Sequence, residues 1–288
     1  MELKDTAFII GDGVIGKRLA NHLRNRGLTV VLTSRKRNRV SKECLYLDLA
    51  SAATDWPEFP RNSLVFLCAG ESSIRKCETQ PSFTEKLNVD ASIKIAEKVV
   101  NNSCFLLFIS TNMVFDGTIP LRKPDDYASP RNIYGKQKLM AENAILSLQN
   151  TAVLRLSKVI HADMPLFKNW ISDLKSKKEI NPFNDMVFAP VLIDRAVRVI
   201  SMIATSRVSG ITQFSASNDI SYEDAALYIA KAINADLDLV KAVASNKDNS
   251  SGNFNPEFTT LDSSAVCKLL GINQPDPYEA LDGILVNA

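Results

Sequence analysis

Short, mostly apolar runs recur along the first half of the chain and are separated by amphipathic segments. The first run, residues 7–10, is too short for a helix and is ended by a glycine. Apolarity without alternation is typical of strands that are covered on both faces, as in a parallel sheet. Comparable runs occupy residues 28–32, 64–68, 105–109 and 152–156. These runs predict strands of a single sheet.

Segments with helical spacing lie between the apolar runs. The first places Val14, Ile15, Leu19 and Leu23 on one face, and Gly27 ends it. Residues 90–100 and 134–148 predict two more helices. Alternating strands and helices with short connections predict an α/β fold with a doubly wound parallel sheet, the Rossmann arrangement. We expect residues 1–157 to form this domain.

The pattern changes after residue 157. Prolines interrupt the next stretch, helices are predicted at residues 194–204 and 222–235, and residues 245–256 are polar and predict a loop. We expect residues 158–288 to form mainly a smaller, C-terminal substrate-binding lobe, with the chain crossing between the lobes.

Composition narrows the class of protein. The 288 residues are 45% hydrophobic, which is enough for a sizeable core, and the formal net charge of +2 indicates neither a nucleic acid nor a membrane partner. No apolar run approaches the roughly 20 residues that cross a bilayer, and the N-terminus does not resemble a secretory signal. Five scattered cysteines without a CxxC pair predict a reducing, cytoplasmic compartment, and nothing indicates a metal site.

A glycine-rich turn follows the first predicted strand. Gly11 permits a tight turn, Gly13 lets a pyrophosphate approach the backbone, and Gly16 lets the helix pack on the strand. Val14 and Ile15 begin the helix, whose free N–H groups and positive dipole end favour phosphate. The turn predicts a dinucleotide site, although an ordinary strand-to-helix turn has the same pattern.

The residues after the second predicted strand indicate which dinucleotide binds. NAD sites usually place an acid there for the ribose hydroxyls, whereas this chain has Ser34 and Arg35, which could bind a 2′-phosphate. NADP is therefore favoured over NAD, although a solvated basic loop is the alternative. Asp48 and Leu49 follow a third predicted strand and are expected at the adenine. Asp48 could equally cap a helix.

A second group of residues carries candidate chemistry. Tyr134 and Lys138 are four residues apart and share one face if they lie on a helix. A neighbouring ammonium brings the pKa of a phenol, about 10, closer to neutrality. A hydroxyl from Thr111 or Ser110, at the end of a neighbouring strand, would polarise a substrate carbonyl. The alternative is a tyrosine and a lysine on a solvated helix face.

These motifs carry a family resemblance. Residues 110–117, Ser-Thr-Asn-Met-Val-Phe-Asp-Gly, are similar to STDYVFDG, and residues 129–142 are similar to P-x-N-x-Y-G-x-x-K-x-x-x-E. Both patterns belong to the dTDP-4-dehydrorhamnose reductase group of the extended short-chain dehydrogenase/reductases, which the chain resembles. The resemblance is dense over residues 7–158 and patchy beyond them.

The resemblance implies an oxidoreductase that passes hydride from NADPH or NADH to C4 of a nucleotide-linked 4-keto-6-deoxy sugar. Thr111, Tyr134 and Lys138 would be catalytic, with Tyr134 as the proton donor. Cofactor-binding residues would also include Ala69, Gly70, Ser110, Tyr134 and Lys138. Substrate-binding residues would be Glu71, Asn112, Met113, Val114, Arg155 and Phe188. A homodimer is also implied.

Departures from the family pattern affect the sugar-binding positions. Met113 replaces a tyrosine, Glu71 falls where a histidine is frequent, and Phe188 and Val191 stand where the pattern has glycine and threonine. The reductase class is therefore better supported than the named sugar.

Two other functions remain open. One is a nucleotide-sugar epimerase, which would retain its cofactor through the cycle. The other is a non-catalytic nucleotide-binding regulatory subunit, because a methionine adenosyltransferase regulatory subunit is similar in fold and motifs. The intact Thr111, Tyr134 and Lys138 set argues against this second alternative.

Overall fold

The computed structural model describes residues 6–245 and 255–286, so most of the predicted loop at residues 245–256 lies outside the described residues. The chain divides into two compact units. The first unit comprises Met1–Val114, Ala128–Arg155 and Val197–Thr212. The second unit comprises Phe115–Tyr127, Leu156–Ala196 and Gln213–Ala288.

Strands and helices alternate through the described residues. The strands are β1 (Thr6–Ile10), β2 (Thr29–Ser34), β3 (Cys44–Tyr46), β4 (Leu64–Leu67), β5 (Phe105–Thr111), β6 (Thr151–Leu156), β7 (Val159–Ile160), β8 (Val187–Phe188), β9 (Val191–Leu192), β10 (Gly210–Phe214) and β11 (Ile220–Ser221). The helices are α1 (Val14–Asn25), α2 (Ile74–Thr79), α3 (Pro81–Glu85), α4 (Ala91–Asn101), α5 (Ile133–Leu146), α6 (Pro165–Lys175), α7 (Ile193–Thr205), α8 (Tyr222–Ala232), α9 (Ser264–Leu270) and α10 (Pro277–Leu285).

A seven-stranded sheet in the order β10-β6-β5-β4-β1-β2-β3 organises the first unit. The pairs β1–β2, β2–β3, β1–β4 and β4–β5 are all parallel. This order reverses direction at β1, which is the arrangement of doubly wound sheets, and ligands bind there beyond the carboxyl ends of the strands. The predicted fold class is confirmed.

The helices of the first unit cover the sheet with their apolar faces. Leu19 and Leu23 of α1, and Ile95 and Val99 of α4, are completely buried. Phe8 of β1 lies in the same core as Ile95 and Val99 and makes an edge-to-face contact with Phe59. Spacing by three or four residues places these side chains on one helix face, so the amphipathic pattern specifies both helices.

The segment before α4 is more helical than its sequence predicts. A single helix from residue 90 was expected, but α2, α3 and a π-helical turn at Lys86–Asp90 precede α4. Pro81 occupies the first turn of α3. Because proline lacks an N–H and disfavours a helical residue before it, it divides this stretch into short helices.

The second unit has a core of its own. Phe167 and Trp170 of α6 pack edge to face at 5.7 Å and lie in this core with residues of α8 and α10. A spacing of three residues places both aromatic rings on one face of α6, and both are buried. Two short sheets accompany the helices, with β11 antiparallel to β8 and β7 parallel to β9.

Membrane-spanning helices, metal ligands and cysteines bear on the class of protein. Within residues 6–245 and 255–286, no helix is long and apolar enough to cross a membrane. The same residues contain no group of histidine, cysteine and acidic side chains that could hold a metal ion. All five cysteines are free thiols.

Candidate active site

A groove of about 250 Å³ lies in the first unit beyond the carboxyl ends of β1, β2 and β4. It brings together residues from four separate loops. Its lining comprises Ile10, Gly11, Asp12, Gly13, Thr33, Arg35, Leu47, Asp48, Leu49, Cys68, Ala69, Gly70, Glu71 and Leu87. Seven of the residues predicted to bind the cofactor are in this set, and so is Glu71, which was expected at the substrate. Asp12 and Cys68 were not predicted.

The glycine-rich turn forms one wall of the groove. Gly11 has a positive φ of 108°, and a Cβ on it would meet the backbone of Ala69 at 2.9 Å. A Cβ on Gly16 would overlap the carbonyl oxygen of Gly11. Gly13, by contrast, has no atom within 4 Å of a Cβ position and precedes α1, whose N-terminus has no side-chain cap. Open space beside uncapped N–H groups fits a phosphate.

Alanine substitutions should separate the structural glycine from the binding glycine. Gly16→Ala should lower the free energy of unfolding by about 1–3 kcal/mol, because the added methyl overlaps backbone. Gly13→Ala should leave stability unchanged, since Gly13 has φ −67° and ψ −176°, which alanine adopts readily. Its methyl would enter the phosphate space, and dinucleotide affinity should fall at least about tenfold.

Urea denaturation and fluorescence titration with NADPH measure these two effects. Equal affinity of the wild type and Gly13→Ala would contradict a phosphate site at this turn.

The basic loop after β2 lies at the adenosine end expected for the groove. Ser34 is buried, and its hydroxyl accepts a hydrogen bond from the N–H of Lys36 at 3.0 Å. Arg35 is exposed and lines the groove. The guanidinium of Arg37 lies 4.2 Å from the ring centre of Tyr46, and Arg39 pairs with Asp12. Arg35 is therefore directed at the groove, whereas Arg37 and Arg39 contact other side chains.

Asp48 closes a turn at the edge of the groove. One carboxylate oxygen accepts a hydrogen bond from the N–H of Ala50 at 3.0 Å, and its carbonyl accepts one from the indole of Trp56 at 2.8 Å. The next helical turn begins only at Ala53. The structure therefore excludes the alternative that Asp48 caps a helix at its own position.

Two hydroxyls end β5. Thr111 accepts a hydrogen bond from the N–H of Met113 at 3.2 Å, which holds its side chain at the strand end. The hydroxyl of Ser110 is buried without a hydrogen-bond partner in the described part of the chain. Because buried hydroxyls are normally paired, Ser110 fits a role in holding a ligand, as the cofactor prediction requires.

The first turn of α5 packs against the segment that follows Thr111. Asn132 caps the helix by accepting a hydrogen bond from the N–H of Gly135 at 2.7 Å. A Cβ on Gly135 would overlap the carbonyl oxygen of Met113. Glycine therefore allows this close approach, which brings Tyr134 to the segment that carries Thr111.

Lys138 lies one turn further along α5 and is 6% exposed. Its ammonium donates a hydrogen bond to the carbonyl of Ile109 at 2.7 Å and lies 3.6 Å from the ring centre of Phe108. Burial lowers the pKa of Lys138 to about 7, although Glu142 and Cys68 act in the opposite direction. The lysine thus reaches the end of β5 beside the groove residue Cys68.

The expected effect of Lys138 on Tyr134 is corrected by the structure. Burial raises the pKa of Tyr134 above its usual value, and Cys77 adds to the rise. The ammonium of Lys138 donates a hydrogen bond to the carbonyl of Ile109, and burial outweighs any effect of Lys138 on the pKa of Tyr134. Tyr134 is therefore protonated at neutral pH, which suits a proton donor.

The depressed pKa of Lys138 predicts a pH-dependent stability. The ordinary value is 10.5 and the folded value is about 7, so the unfolded chain binds more protons between them. The free energy of unfolding contributed by this group therefore rises with pH in that window. We expect Lys138→Met to flatten the rise in melting temperature between about pH 7 and about pH 8.5. The five free cysteines also begin to titrate in this window in the unfolded chain, but they do so equally in both proteins, so the difference between the two slopes reports Lys138. Identical slopes in the two proteins would contradict this pKa.

The residues predicted to bind substrate fall into two groups. Asn112 and Met113 are half-buried and follow Thr111, and Glu71 lies in the groove, paired with Lys76 at 2.7 Å. Three others are almost completely buried: Val114, Arg155 and Phe188 are 0%, 3% and 2% exposed.

Each of these three side chains has a structural role instead. Val114 packs in the interior, and Arg155 forms a buried ion pair with Glu142 at 2.8 Å. In the second unit, Phe188 stacks on Tyr222 at 4.5 Å. Burial and these contacts argue against direct substrate contact by Val114, Arg155 and Phe188, and their substrate-binding role stays a prediction.

A polar network that the sequence did not predict connects the groove to α5. Asn88 accepts a hydrogen bond from the N–H of Glu71 at 2.7 Å and donates one to Gln137 at 2.9 Å. Gln137 in turn donates to Thr84 at 2.9 Å. Gln137 lies on α5 between Tyr134 and Lys138, so the network fixes that helix to the loop that follows β4.

Comparison with known proteins assigns this chain to a family. The family model described as the RmlD substrate binding domain matches residues 7–287, nearly the whole chain. The chain belongs to this family. The predicted resemblance to the dTDP-4-dehydrorhamnose reductase group is confirmed.

The curated relatives of this family member carry two kinds of name. Methionine adenosyltransferase 2 subunit beta of Xenopus laevis is 27% identical over 282 residues, covering 92% of this chain and 82% of the relative. The same subunit from Xenopus tropicalis is 32% identical over 153 residues, covering 53% of this chain and 46% of the relative. dTDP-4-dehydrorhamnose reductase of Escherichia coli is 27% identical over 190 residues, covering 62% and 63%. The chain thus spans less than two thirds of the last two relatives.

Solved structures share the fold of this family member at low identity. A dTDP-4-dehydrorhamnose reductase from Bacillus anthracis in complex with NADP has a TM-score of 0.81 and 18% identity, covering 99% of this chain and all of that chain. MoeE5 in complex with UDP-glucose and NAD has a TM-score of 0.78 and 19% identity, covering 98% and 97%. The likeness confirms the predicted fold, a doubly wound sheet of the Rossmann type.

Proposed function

We propose that this protein is an NAD(P)H-dependent reductase of a nucleotide-linked 4-keto-6-deoxy sugar, similar to dTDP-4-dehydrorhamnose reductase. The observation that carries the proposal is the packing of Tyr134 and Lys138 on α5 against the end of β5, where Thr111 lies. Lys138 reaches Ile109 at 2.7 Å, two residues before Thr111. A spacing of four residues in the sequence would thus become one reactive surface at the end of β5.

The chain's own residues have distinct roles in this reaction. Thr111, held by the N–H of Met113, would donate a hydrogen bond from its hydroxyl to the substrate carbonyl oxygen and keep its proton. Tyr134, protonated at neutral pH because burial raises its pKa, would deliver the proton to that oxygen. Lys138 would hold the ribose beside the nicotinamide. A bound nicotinamide dinucleotide supplies the hydride.

Dinucleotide binding is supported by the fit of the groove. A ligand would fill space or supply a hydrogen-bond partner at three places. These are the open space at Gly13, the uncapped N–H groups at the start of α1 and the unpaired hydroxyl of Ser110. Arg35 lines the groove and favours NADP(H). Two structural neighbours contain such a dinucleotide: the Bacillus anthracis reductase is in complex with NADP, and MoeE5 is in complex with NAD.

A regulatory subunit is the second candidate function. It is favoured by the name of the Xenopus laevis relative, a methionine adenosyltransferase 2 subunit beta that matches 92% of this chain. On this alternative the groove would bind a dinucleotide without turnover. An epimerase, which would retain its dinucleotide through the cycle, is the remaining alternative.

A panel assay distinguishes these functions. Purified protein is incubated with NADPH or NADH and with dTDP- and UDP-linked 4-keto-6-deoxy sugars, and nicotinamide absorbance and sugar products are followed. Stoichiometric oxidation with formation of the sugar alcohol supports the reductase, whereas sugar conversion without net oxidation supports the epimerase. Dinucleotide binding without conversion, together with altered kinetics of an added methionine adenosyltransferase catalytic subunit, supports the regulatory function.

The cellular setting follows from the same proposal. Nicotinamide dinucleotides and sugar nucleotides are cytoplasmic metabolites, so a cytoplasmic reductase is proposed, and its assembly as a homodimer remains a prediction. Sedimentation equilibrium with and without NADPH measures the assembly directly.

A further inference from the structure

Residues 35–39, which follow β2, contain no acidic side chain, but an acidic side chain from another loop lies near the end of this strand. Asp12 belongs to the glycine-rich turn, lines the groove and is paired with Arg39, which lies beyond the end of β2. Burial raises the pKa of Asp12, but hydrogen bonds from Arg39 and Ser34 outweigh it, so the net pKa is lowered. Asp12 is therefore an ionised carboxylate that faces the carboxyl end of β2.

The turn is held in this position by a second contact. The N–H of Gly11 donates a hydrogen bond to the hydroxyl of Thr33 at 3.1 Å, so the residue before Asp12 is tied to the last residues of β2. In dinucleotide-binding folds an acid near this strand end accepts the ribose 2′-hydroxyl of NAD. Here that acid comes from the glycine-rich turn, 27 residues from its arginine partner in the sequence.

We infer that Asp12 and Arg39 together set the preference between NAD(H) and NADP(H). Asp12 accepts the ribose 2′-hydroxyl of NAD(H), whereas Arg39 leaves Asp12 and pairs with the 2′-phosphate of NADP(H). The inference rests on the proposed function, because it assigns the adenosine end of the same dinucleotide groove.

The charges around the pair support this exchange. Both side chains are only partly buried, with Arg39 39% and Asp12 16% exposed, so separating them does not leave a charge sealed from water. Arginine binds a phosphate through two parallel hydrogen bonds, which makes the 2′-phosphate a stronger partner than a single carboxylate contact. Arg37 stacks on Tyr46, whereas Arg39 pairs with Asp12, so Arg39 is the arginine whose position depends on the carboxylate.

Opposite shifts in cofactor preference test the inference. Asp12→Asn replaces the charged acceptor of the 2′-hydroxyl by a weaker, neutral amide oxygen and removes the ion pair that holds Arg39. The ratio of the NADH Kd to the NADPH Kd should therefore rise about tenfold. Arg39→Gln leaves Asp12 facing the 2′-phosphate, so the same ratio should fall about tenfold. Lys36→Gln, which removes one exposed charge from the same loop, should change the ratio less than about twofold, since exposed charges are screened.

Fluorescence titration with NADPH and NADH measures the ratio without any sugar, and competition with adenosine 2′,5′-bisphosphate and AMP confines the effect to the adenosine end. Circular dichroism melts establish that each variant is folded. If only one variant folds, the direction in which it shifts the ratio of the two Kd values still tests the inference. If both dinucleotides bind but the two variants shift the ratio in the same direction, or less than Lys36→Gln does, the inference is overturned while the proposed function stands. If neither dinucleotide binds the folded wild type, both are overturned.

Discussion

Replacing Tyr134 by phenylalanine should lower kcat by about 10²- to 10⁴-fold, the range over which a positioned proton donor accelerates a reaction. The Kd for NADPH should change little, because the aromatic ring remains on α5 and only the phenol oxygen is lost. The raised pKa of Tyr134 keeps the phenol protonated at neutral pH, so a proton is available there in the wild type. Steady-state kinetics with a 4-keto-6-deoxy sugar nucleotide, beside a dinucleotide titration, measures both effects.

Tyr127→Phe is the matched control for this substitution. Tyr127 is 85% exposed, so the loss of its hydroxyl should leave kcat and the Kd unchanged. Equal turnover by Tyr134→Phe and the wild type would show that a group other than Tyr134 donates the proton to the substrate oxygen. A loss of NADPH binding in Tyr134→Phe would indicate a structural effect of the substitution.

Breaking the ion pair between Glu142 and Arg155 should cause the largest loss of stability. The two side chains are 0% and 3% exposed and are joined by hydrogen bonds at 2.8 and 3.1 Å. Removing one partner leaves a buried charge without its counterion, which costs about 3–5 kcal/mol. Urea denaturation of Glu142→Ala and Arg155→Ala should show losses of this size for both.

The double variant separates pairing from other roles of the two residues. Glu142→Leu with Arg155→Leu should be more stable than either single leucine variant, since no unpaired charge remains. Glu58→Gln, at an exposed ion pair with Lys98, should change stability little. Strictly additive losses in the double variant would contradict the ion pair as the source of the effect.

The sheet could be predicted from the sequence because both faces of its strands are buried. Each predicted apolar run corresponds to one of the strands β1, β2, β4, β5 and β6. Helices α1 and α4 repeat their apolar residues every three or four positions, so this pattern predicted them. Helix α5 was also predicted, although it buries Gln137, Lys138 and Glu142 beside its apolar residues. The short helices α2 and α3 were not, because a proline between them removes the continuous periodicity on which such predictions depend.

The candidate site could be predicted where its residues are close in sequence. Tyr134 and Lys138 are one helical turn apart, and the glycines share one turn, so their proximity is a local property. The pairs Asp12–Arg39 and Glu142–Arg155 form only when the chain folds, because their partners lie on different elements. For the same reason Arg155 was expected at a substrate, although a buried carboxylate holds it.

Oxidation of NADPH by a dTDP-linked 4-keto-6-deoxy sugar, followed in parallel for the wild type, Tyr134→Phe and Tyr127→Phe, tests the central claim most directly. The account predicts one NADPH oxidised for each sugar alcohol formed by the wild type and by Tyr127→Phe. It also predicts little or no oxidation by Tyr134→Phe, although that variant still binds NADPH. Binding of NADPH by all three proteins, with no sugar reduced by any of them, would contradict the reductase and favour the regulatory subunit.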